Sequence, residues 1–216
     1  LTDTDTFSQI SIWTMGSWEA ISRWYISLVR EQMQSDAELE AFTKQLVQDK
    51  KTDEEKIKAI FNFVSQKIRY VAILLGPYTH KPHPAREIFK KRYGDCKDKT
   101  TLLLTMLKIA GIEGRPVLVP ARSESFDESV PSLQVFNHVI AVVTSGSKYY
   151  WLDGTNETAA FDSVPFVRPT MVFVINYDGT YRFVKTPKID DKKDFSNLEL
   201  KSNINQEGDA YVDFTF

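Results

Sequence analysis

The sequence predicts an α+β fold, with helices in the first half of the chain and antiparallel strands in the second. Up to residue 111 the apolar residues recur at helical spacing, whereas β-branched and aromatic runs separated by turn residues follow from residue 115 onward. Helices followed by strands, instead of alternating with them, are typical of this class. The 216 residues, 42% of them hydrophobic, suffice for a sizeable core.

The first helix is predicted in residues 17–34, SWEAISRWYISLVREQMQ. Ser17 is placed to cap its N-terminus. The apolar residues at the spacing of one helical face are Ile21, Trp24, Tyr25 and Leu28.

Two further helices are predicted by capping-box spacing, in which a Ser or Thr stands three residues before a Glu. Ser35 and Glu38 have this spacing at the start of one helix, and Thr52 and Glu55 have it at the start of the next. The buried face of the latter is expected to hold Ile57, Ile60, Phe61 and Val64.

A loop is predicted at residues 74–84, LLGPYTHKPHP, because three prolines and a glycine cannot continue a helix or a central strand. Residues 84–93 then predict a short helix, and residues 96–111 predict a mostly buried helix that ends at Gly111. Four strands are expected after it, in RPVLVPA, VFNHVIAVV, KYYWLD and PTMVFVIN.

Cys96, the single cysteine of the chain, lies where a glycine-bearing turn gives way to the buried helix. Asp95 is placed to cap this helix, so the thiol is expected at its N-terminus, where the helix dipole and free N–H groups favour a thiolate. Lys97 and Lys99 add positive charge, although Asp95 and Asp98 oppose it. A small buried and unreactive cysteine is the alternative.

His138 is predicted to be buried, because it lies in a strand that is apolar on both faces and therefore needs a hydrogen-bond partner. A hairpin with a Ser145–Gly146 turn would pair His138 with Asp153 and place Trp151 on the same face as a shield. Cys96, His138 and Asp153 are thus the candidate catalytic residues of a Cys-His-Asp triad. A satisfied polar pair in the core is the alternative for His138 and Asp153.

His80 and His83 stand three residues apart in the proline-rich loop and raise the possibility of a zinc site. A second thiol is lacking and such a loop does not fix the spacing, so a wall of a substrate cleft or an ordinary crossing loop is favoured. We expect no metal ion and no cofactor.

The charge balance argues against nucleic acid as a partner, because a net charge of -2 gives no overall basic field. No apolar run approaches the roughly 18 residues of a membrane span, so no membrane insertion is expected. The chain starts at Leu1 and stops in the strand-like AYVDFTF, which predicts an excised or processed piece of a longer protein.

Three blocks, YGDCKDKTTLLLTMLKIAGIEGRPVLV, FNHVIAVV and YYWLDGTN, resemble the transglutaminase-like core in that order. The resemblance extends over roughly residues 17–180 and is to the bacterial branch in which this core lies between β-rich domains. It implies a papain-like α+β fold with a cysteine-bearing central helix packed on an antiparallel sheet. Cys96 matches the nucleophile, His138 the base and Asp153 the orienting acid.

The resemblance also implies acyl transfer from a peptide or protein amide, with water or an amine as acceptor. Hydrolysis by a peptidase or amidase is the favoured activity, and a catalytically inactive binding or scaffold module is the alternative. Papain-like enzymes complete the oxyanion hole with a side chain upstream of the cysteine, but residues 86–95 contain no Gln or Trp. The backbone N–H of Cys96 supplies one donor, and the second is not identified.

We divide the chain on this basis into a helical lead-in at 1–50, a transglutaminase-like catalytic core at 51–184, and a linker with the first strands of a following β-domain at 185–216. The charged and weakly periodic stretch 185–197 marks the second boundary. Further β-rich domains of the same polypeptide, and a bacterial periplasm or cell envelope, are expected from the resemblance only.

Overall fold

A computed structural model describes residues 15–72, 76–121, 126–146, 148–161, 163, 168–188 and 199–215. Five α-helices are found there: α1 Trp18–Gln32, α2 Ala37–Val47, α3 Asp53–Lys67, α4 Ala85–Lys91 and α5 Cys96–Ile109. Nine strands are found in the same residues: β1 Arg69–Tyr70, β2 Tyr93–Gly94, β3 Gly114–Val119, β4 His138–Ser145, β5 Lys148–Leu152, β6 Met171–Ile175, β7 Tyr181–Lys185, β8 Glu199–Ile204 and β9 Ala210–Thr215. The predicted α+β class is confirmed.

Three of the four predicted N-terminal caps are present, those of α1, α3 and α5. The Ser17 hydroxyl accepts the N–H of Ala20 at the start of α1, and Thr52 and Glu55 form the full capping box of α3. The capping box predicted for Ser35 and Glu38 is wrong. Asp36 caps α2 by accepting the N–H of Leu39, while the Ser35 hydroxyl donates to the Glu40 carboxylate. Aspartate and serine are equally good N-terminal caps. Asp36 caps the helix here because the Ser35 hydroxyl is bonded to Glu40.

The central sheet has five antiparallel strands in the order β5-β4-β3-β6-β7. Helix α5 lies on one face, where the side chains of β4 that point towards it join the main core. The opposite face carries a smaller apolar cluster made of Val117, Val119, Ile140, Val142, Trp151, Val172 and Val174. Because α5 is buried along most of its length, its N-terminus is fixed relative to the sheet.

The β4–β5 hairpin has a different register from the predicted one. Ser145 pairs with Lys148 and Thr144 with Tyr149, whereas a Ser145–Gly146 turn would have paired Thr144 with residue 147. Gly146 has φ +60, a left-handed conformation that the first central residue of a two-residue hairpin turn requires. Placing glycine in that position moves the register by two residues and keeps every side chain on its predicted face.

The loop predicted at 74–84 is confirmed for its described part. It begins with one 3₁₀ turn, Gly76–Thr79, and continues without regular structure to α4. Gly111 ends the buried helix with φ +78, as predicted. No helix among the described residues is long and apolar enough to cross a membrane.

Strands β8 and β9 form a separate two-stranded sheet whose described side chains are mostly exposed. Most of the predicted linker falls in residues 189–198, which lie outside the described part of the chain. The division into three parts and the following β-domain stay predictions.

Candidate active site

Cys96 is the first residue of α5, because the residue before it caps the helix. The Asp95 carboxylate accepts the N–H of Asp98 at 3.2 Å, and the Asp98 carboxylate accepts the N–H of Asp95 at 3.4 Å. This reciprocal box uses an aspartate where a Glu or Gln is usual. Cys96 is left half-buried at the positive end of the helix dipole, with no cysteine partner.

His138 opens β4 and lies next to a carboxylate from the end of the neighbouring strand. Its Nε2 lies 2.8 Å from Oδ2 of Asp153. The other carboxylate oxygen, Oδ1, accepts the N–H of Thr155 at 2.9 Å and the Thr155 hydroxyl at 2.6 Å. Asp153 is therefore held from both sides, and the imidazole is oriented by a fixed acceptor.

Asp153 contacts His138 although the two residues are not paired in the β4–β5 ladder, as the predicted register had them. Strand β5 ends at Leu152, which pairs with Ala141, so Asp153 lies just beyond the ladder and is not directly opposite His138. The two residues still share a face, because the register differs by an even number of residues. Trp151, expected to shield them, packs in the small apolar cluster with Val142 across from it.

Both Asp153 and Cys96 raise the pKa of the His138 imidazole. Burial lowers the pKa of His138, but hydrogen bonds to Asp153 and Cys96 and the charges of both outweigh it and raise the pKa to about 10. Burial raises the pKa of the Asp153 carboxyl. The hydrogen bond and charge of His138 outweigh this effect, so the pKa of Asp153 is lowered. Since Nε2 is used by Asp153, the nitrogen left for the sulfur is Nδ1.

The two lysines expected to support the thiolate are engaged with other groups. The Lys97 ammonium pairs with the Asp95 carboxylate, and both side chains are buried. The Lys99 ammonium donates to the backbone carbonyls of Ser65, at 3.2 Å, and Ile68. Lys99 thus satisfies carbonyls at the end of α3, and its burial lowers its pKa to about 8.

His83 and His80 have separate partners and do not converge on one point. The His83 backbone N–H donates to Asp98 at 2.8 Å, and the His83 ring nitrogen Nδ1 lies 3.1 Å from the same carboxylate. The His80 ring packs edge-on against Trp24, with centroids 5.7 Å apart. No group of three His, Cys, Asp or Glu suited to a metal ion occurs among the residues that the structure describes.

Sequence reasoning missed the role of His83. Tyr78 stacks on its ring with centroids 4.0 Å apart, and together the two residues attach the proline-rich loop to the first turn of α5 through Asp98. The Asp98 carboxylate is therefore bonded to His83 as well as to the N–H of Asp95. The spacing of Asp95 and Asp98 at a helix start was the available sequence signal, because it indicates that Asp98 folds back towards the residues before the helix.

Comparison with known proteins gives the same architecture. The sequence model of the transglutaminase-like superfamily matches residues 40–154, more than half of the chain. The chain belongs to the transglutaminase-like superfamily. The matched residues include α5, β4 and Asp153, and therefore all three candidate catalytic residues.

A crystal structure from Parabacteroides distasonis ATCC 8503, named a "putative protease", has the same transglutaminase-like fold with a TM-score of 0.60 and 17% sequence identity. The superposition covers 80% of this chain and 32% of that protein, so the chain spans about a third of its length. No curated protein matches the chain. The predicted transglutaminase-like α+β core is confirmed by these likenesses, which concern the fold.

Proposed function

We propose that this transglutaminase-like chain is a cysteine-dependent enzyme that transfers the acyl group of a peptide or protein amide, with water as the preferred acceptor. The observation that carries the proposal is the His138 imidazole, whose Nε2 lies 2.8 Å from Oδ2 of Asp153 and whose pKa is raised by both Asp153 and Cys96. A thiol at a helix start beside an oriented imidazole is the arrangement that activates a cysteine nucleophile.

In the proposed reaction the Cys96 proton has passed to His138 before the attack. The thiolate sulfur attacks the amide carbonyl carbon, and a tetrahedral oxyanion forms. The C–N bond then breaks, the imidazolium gives its proton to the leaving nitrogen, and an amine and a thioester on Cys96 result. Water, deprotonated by His138, attacks the thioester, and the carboxylic acid leaves as Cys96 regains its proton.

Asp153 has the role of the orienting acid in this proposal. Its bond to Nε2 fixes the tautomer and the ring plane, and its charge stabilises the imidazolium that accompanies the thiolate. The pKa of about 10 for His138 means that the ring carries its proton at neutral pH while it is paired with both neighbours. His138 is therefore an imidazolium before substrate binds, which is the form that gives a proton to the leaving nitrogen.

The test is an assay of covalent chemistry at the single cysteine of the chain, which makes every label unambiguous. The protein is incubated with a panel of peptide amides and activated esters, and acyl adducts are sought by intact-mass measurement with cleavage by hydroxylamine. We expect a hydroxylamine-sensitive adduct in the native protein and none in Cys96→Ala. His138→Gln should form it at least about 10²-fold more slowly, because its general base is lost.

Hydrolysis and transfer are separated by adding a primary amine to the same reactions. A product that contains the amine, formed faster than the free acid, would overturn the preference for water. The rate of acid formation should instead be insensitive to the amine.

The second candidate function is a binding or scaffold module that has kept the fold without turnover. It is favoured by the absence of Gln and Trp from residues 86–95, where papain-like enzymes provide an oxyanion donor. A peptide ligand whose affinity survives Cys96→Ala, together with no adduct from any member of the panel, would support this candidate over the enzyme.

A further inference from the structure

Thr100 lies one helical turn after Cys96 on α5, and its side chain is buried. Residues four apart on a helix are neighbours on one face, so Thr100 follows Cys96 along the same side of α5. The Thr100 hydroxyl donates to the backbone carbonyl of Val139 at 3.1 Å. Val139 directly follows His138 in β4. A buried hydrogen bond therefore joins the helix of the proposed nucleophile to the strand of the proposed base.

This bond is not the one that a threonine inside a helix usually makes. Such a hydroxyl commonly donates to the carbonyl four residues earlier, as Thr105 of the same helix does to Thr101 at 2.7 Å. For Thr100 the corresponding acceptor would be the carbonyl of Cys96. Its hydroxyl bonds instead to Val139, on an element that is far away in the sequence.

The end of β4 that carries His138 is paired with a neighbouring strand on one side only. His138 pairs with Val119 of β3, whereas the pairing with β5 begins at Ala141. A strand end with fewer ladder bonds moves more easily than the centre of a sheet. The hydroxyl of Thr100 therefore holds this end of β4 against α5 where β5 does not pair with it.

We propose that the Thr100 hydroxyl is a positioning group, which holds His138 at its working distance from Cys96. The inference rests on the proposed acyl transfer and extends it by one residue. The Asp153 bond orients the imidazole ring, whereas the Thr100 bond fixes the strand from which the ring extends. Proton transfer depends steeply on geometry, and a displacement of about 1 Å can slow an enzyme about 10²-fold.

The experiment compares Thr100→Val with Thr100→Ser and with Thr105→Val. Valine has nearly the shape of threonine but lacks the hydroxyl, and serine restores the hydroxyl. Thr105 is the matched control, because it is buried on the same helix and its hydroxyl bonds within α5. Single-turnover acylation by an activated ester is measured over a range of ester concentrations, and urea unfolding is measured beside it.

We expect Thr100→Val to lower the maximal acylation rate about 10-fold, because the strand end that carries His138 shifts against α5. The ester concentration at half-maximal rate should not change, since a buried hydroxyl bonded to the backbone does not contact the substrate. Thr100→Ser should keep most of the native rate. Thr105→Val should lose about as much stability as Thr100→Val and should keep the native rate.

Three outcomes would overturn the inference while the acyl transfer stood. The first is an unchanged rate in Thr100→Val, and the second is an equal loss of rate in Thr105→Val, which would assign the effect to general destabilisation. The third is a rate in Thr100→Ser as low as that in Thr100→Val, which would assign the effect to packing.

The titration of the His138 ring gives a second measurement that does not require turnover. It is followed by nuclear magnetic resonance and assigned by comparison with His138→Gln. Cys96 is one of the groups that raise the pKa of His138, so this pKa should fall in Thr100→Val and stay unchanged in Thr105→Val. If the native protein forms no acyl adduct, the proposed function fails. A lowered pKa in Thr100→Val would still support the positioning role, and an unchanged pKa would overturn it.

Discussion

Gly94 packs against the side chain of Asp98, and a Cβ atom added to Gly94 would lie 2.6 Å from the Asp98 Cβ. No real Cβ tolerates that distance, so one of the two residues would have to move. Asp98 cannot move freely, because it holds both the Asp95 N–H and the His83 N–H. The glycine before the cysteine is thus required by close packing at the helix start.

Gly94→Ala is therefore expected to displace the first turn of α5. The cost should be about 1 to 3 kcal/mol in free energy of unfolding, the range for overpacking in a buried site. The acylation rate should fall as well, because Cys96 moves with the turn. Urea unfolding and the adduct assay measure the two effects.

Gly16→Ala is the control for this substitution, since no atom lies within 4 Å of its added methyl group. It should leave both quantities unchanged. Equal stability of Gly94→Ala and Gly16→Ala would show that the close contact is relieved at no cost.

Replacing Asp153 separates its orienting role from its charge. Asp153→Asn keeps an oxygen that can accept from Nε2 of His138 but cannot stabilise the imidazolium. We expect acylation to slow about 10-fold in Asp153→Asn and about 10²-fold or more in Asp153→Ala, both smaller losses than the roughly 10⁴-fold that an Asp-to-Asn change costs a serine protease triad. Thr155→Val, which removes only a supporting hydroxyl bond, should have the smallest effect. Equal rates in the first two variants would mean that the charge does not contribute.

The raised pKa of His138 predicts a dependence of stability on pH. Its ordinary value is 6.5 and the value in the folded protein is about 10, so the folded state holds the proton more tightly. The stabilisation is fully present below pH 6.5 and is lost as the pH rises from 6.5 to about 10, by at most about 1.4 kcal/mol per pH unit. The difference in unfolding free energy between the native protein and His138→Gln should follow this profile.

The upper limit of that pH window should also move when the thiol is removed. Cys96 is one of the groups that raise the pKa of His138, so in Cys96→Ala the loss should be complete at a lower pH. A profile that is the same with and without Cys96 would contradict the contact between sulfur and imidazole.

Lys99 should have the opposite effect at alkaline pH. Burial lowers its pKa from 10.5 to about 8, so between these values the unfolded chain holds a proton that the folded protein has lost. Stability should therefore rise with pH over this interval, by at most about 1.4 kcal/mol per pH unit. The rise should be absent from Lys99→Met.

The effects of His138 and Lys99 overlap between about pH 8 and 10 and partly cancel in the native protein. Each must therefore be measured as a difference from its own variant. A flat difference between the native protein and Lys99→Met would contradict the lowered pKa.

The elements of the fold could be predicted from the sequence because they depend on local patterns. Apolar spacing in α1 and α3, the cap at Thr52, and β-branched runs in β4 and β6 each concern a few neighbouring residues. Ser35 shows where this reasoning fails, because two adjacent residues were both suitable caps and the choice depended on which hydroxyl had another acceptor. The two-residue strands β1 and β2 carry no pattern and could not be predicted.

The sequence by itself determined that the only thiol of the chain starts a buried helix and that His138 and Asp153 share one face of a hairpin. Side-chain alternation keeps that face through a register difference of two residues, so the local pattern was sufficient. Only the tertiary structure decided that His83 binds Asp98, that Lys99 donates to carbonyls at the end of α3, and that Tyr25 of α1 is buried. These relationships join elements far apart in sequence, and they depend on how the helices pack, which no local spacing encodes.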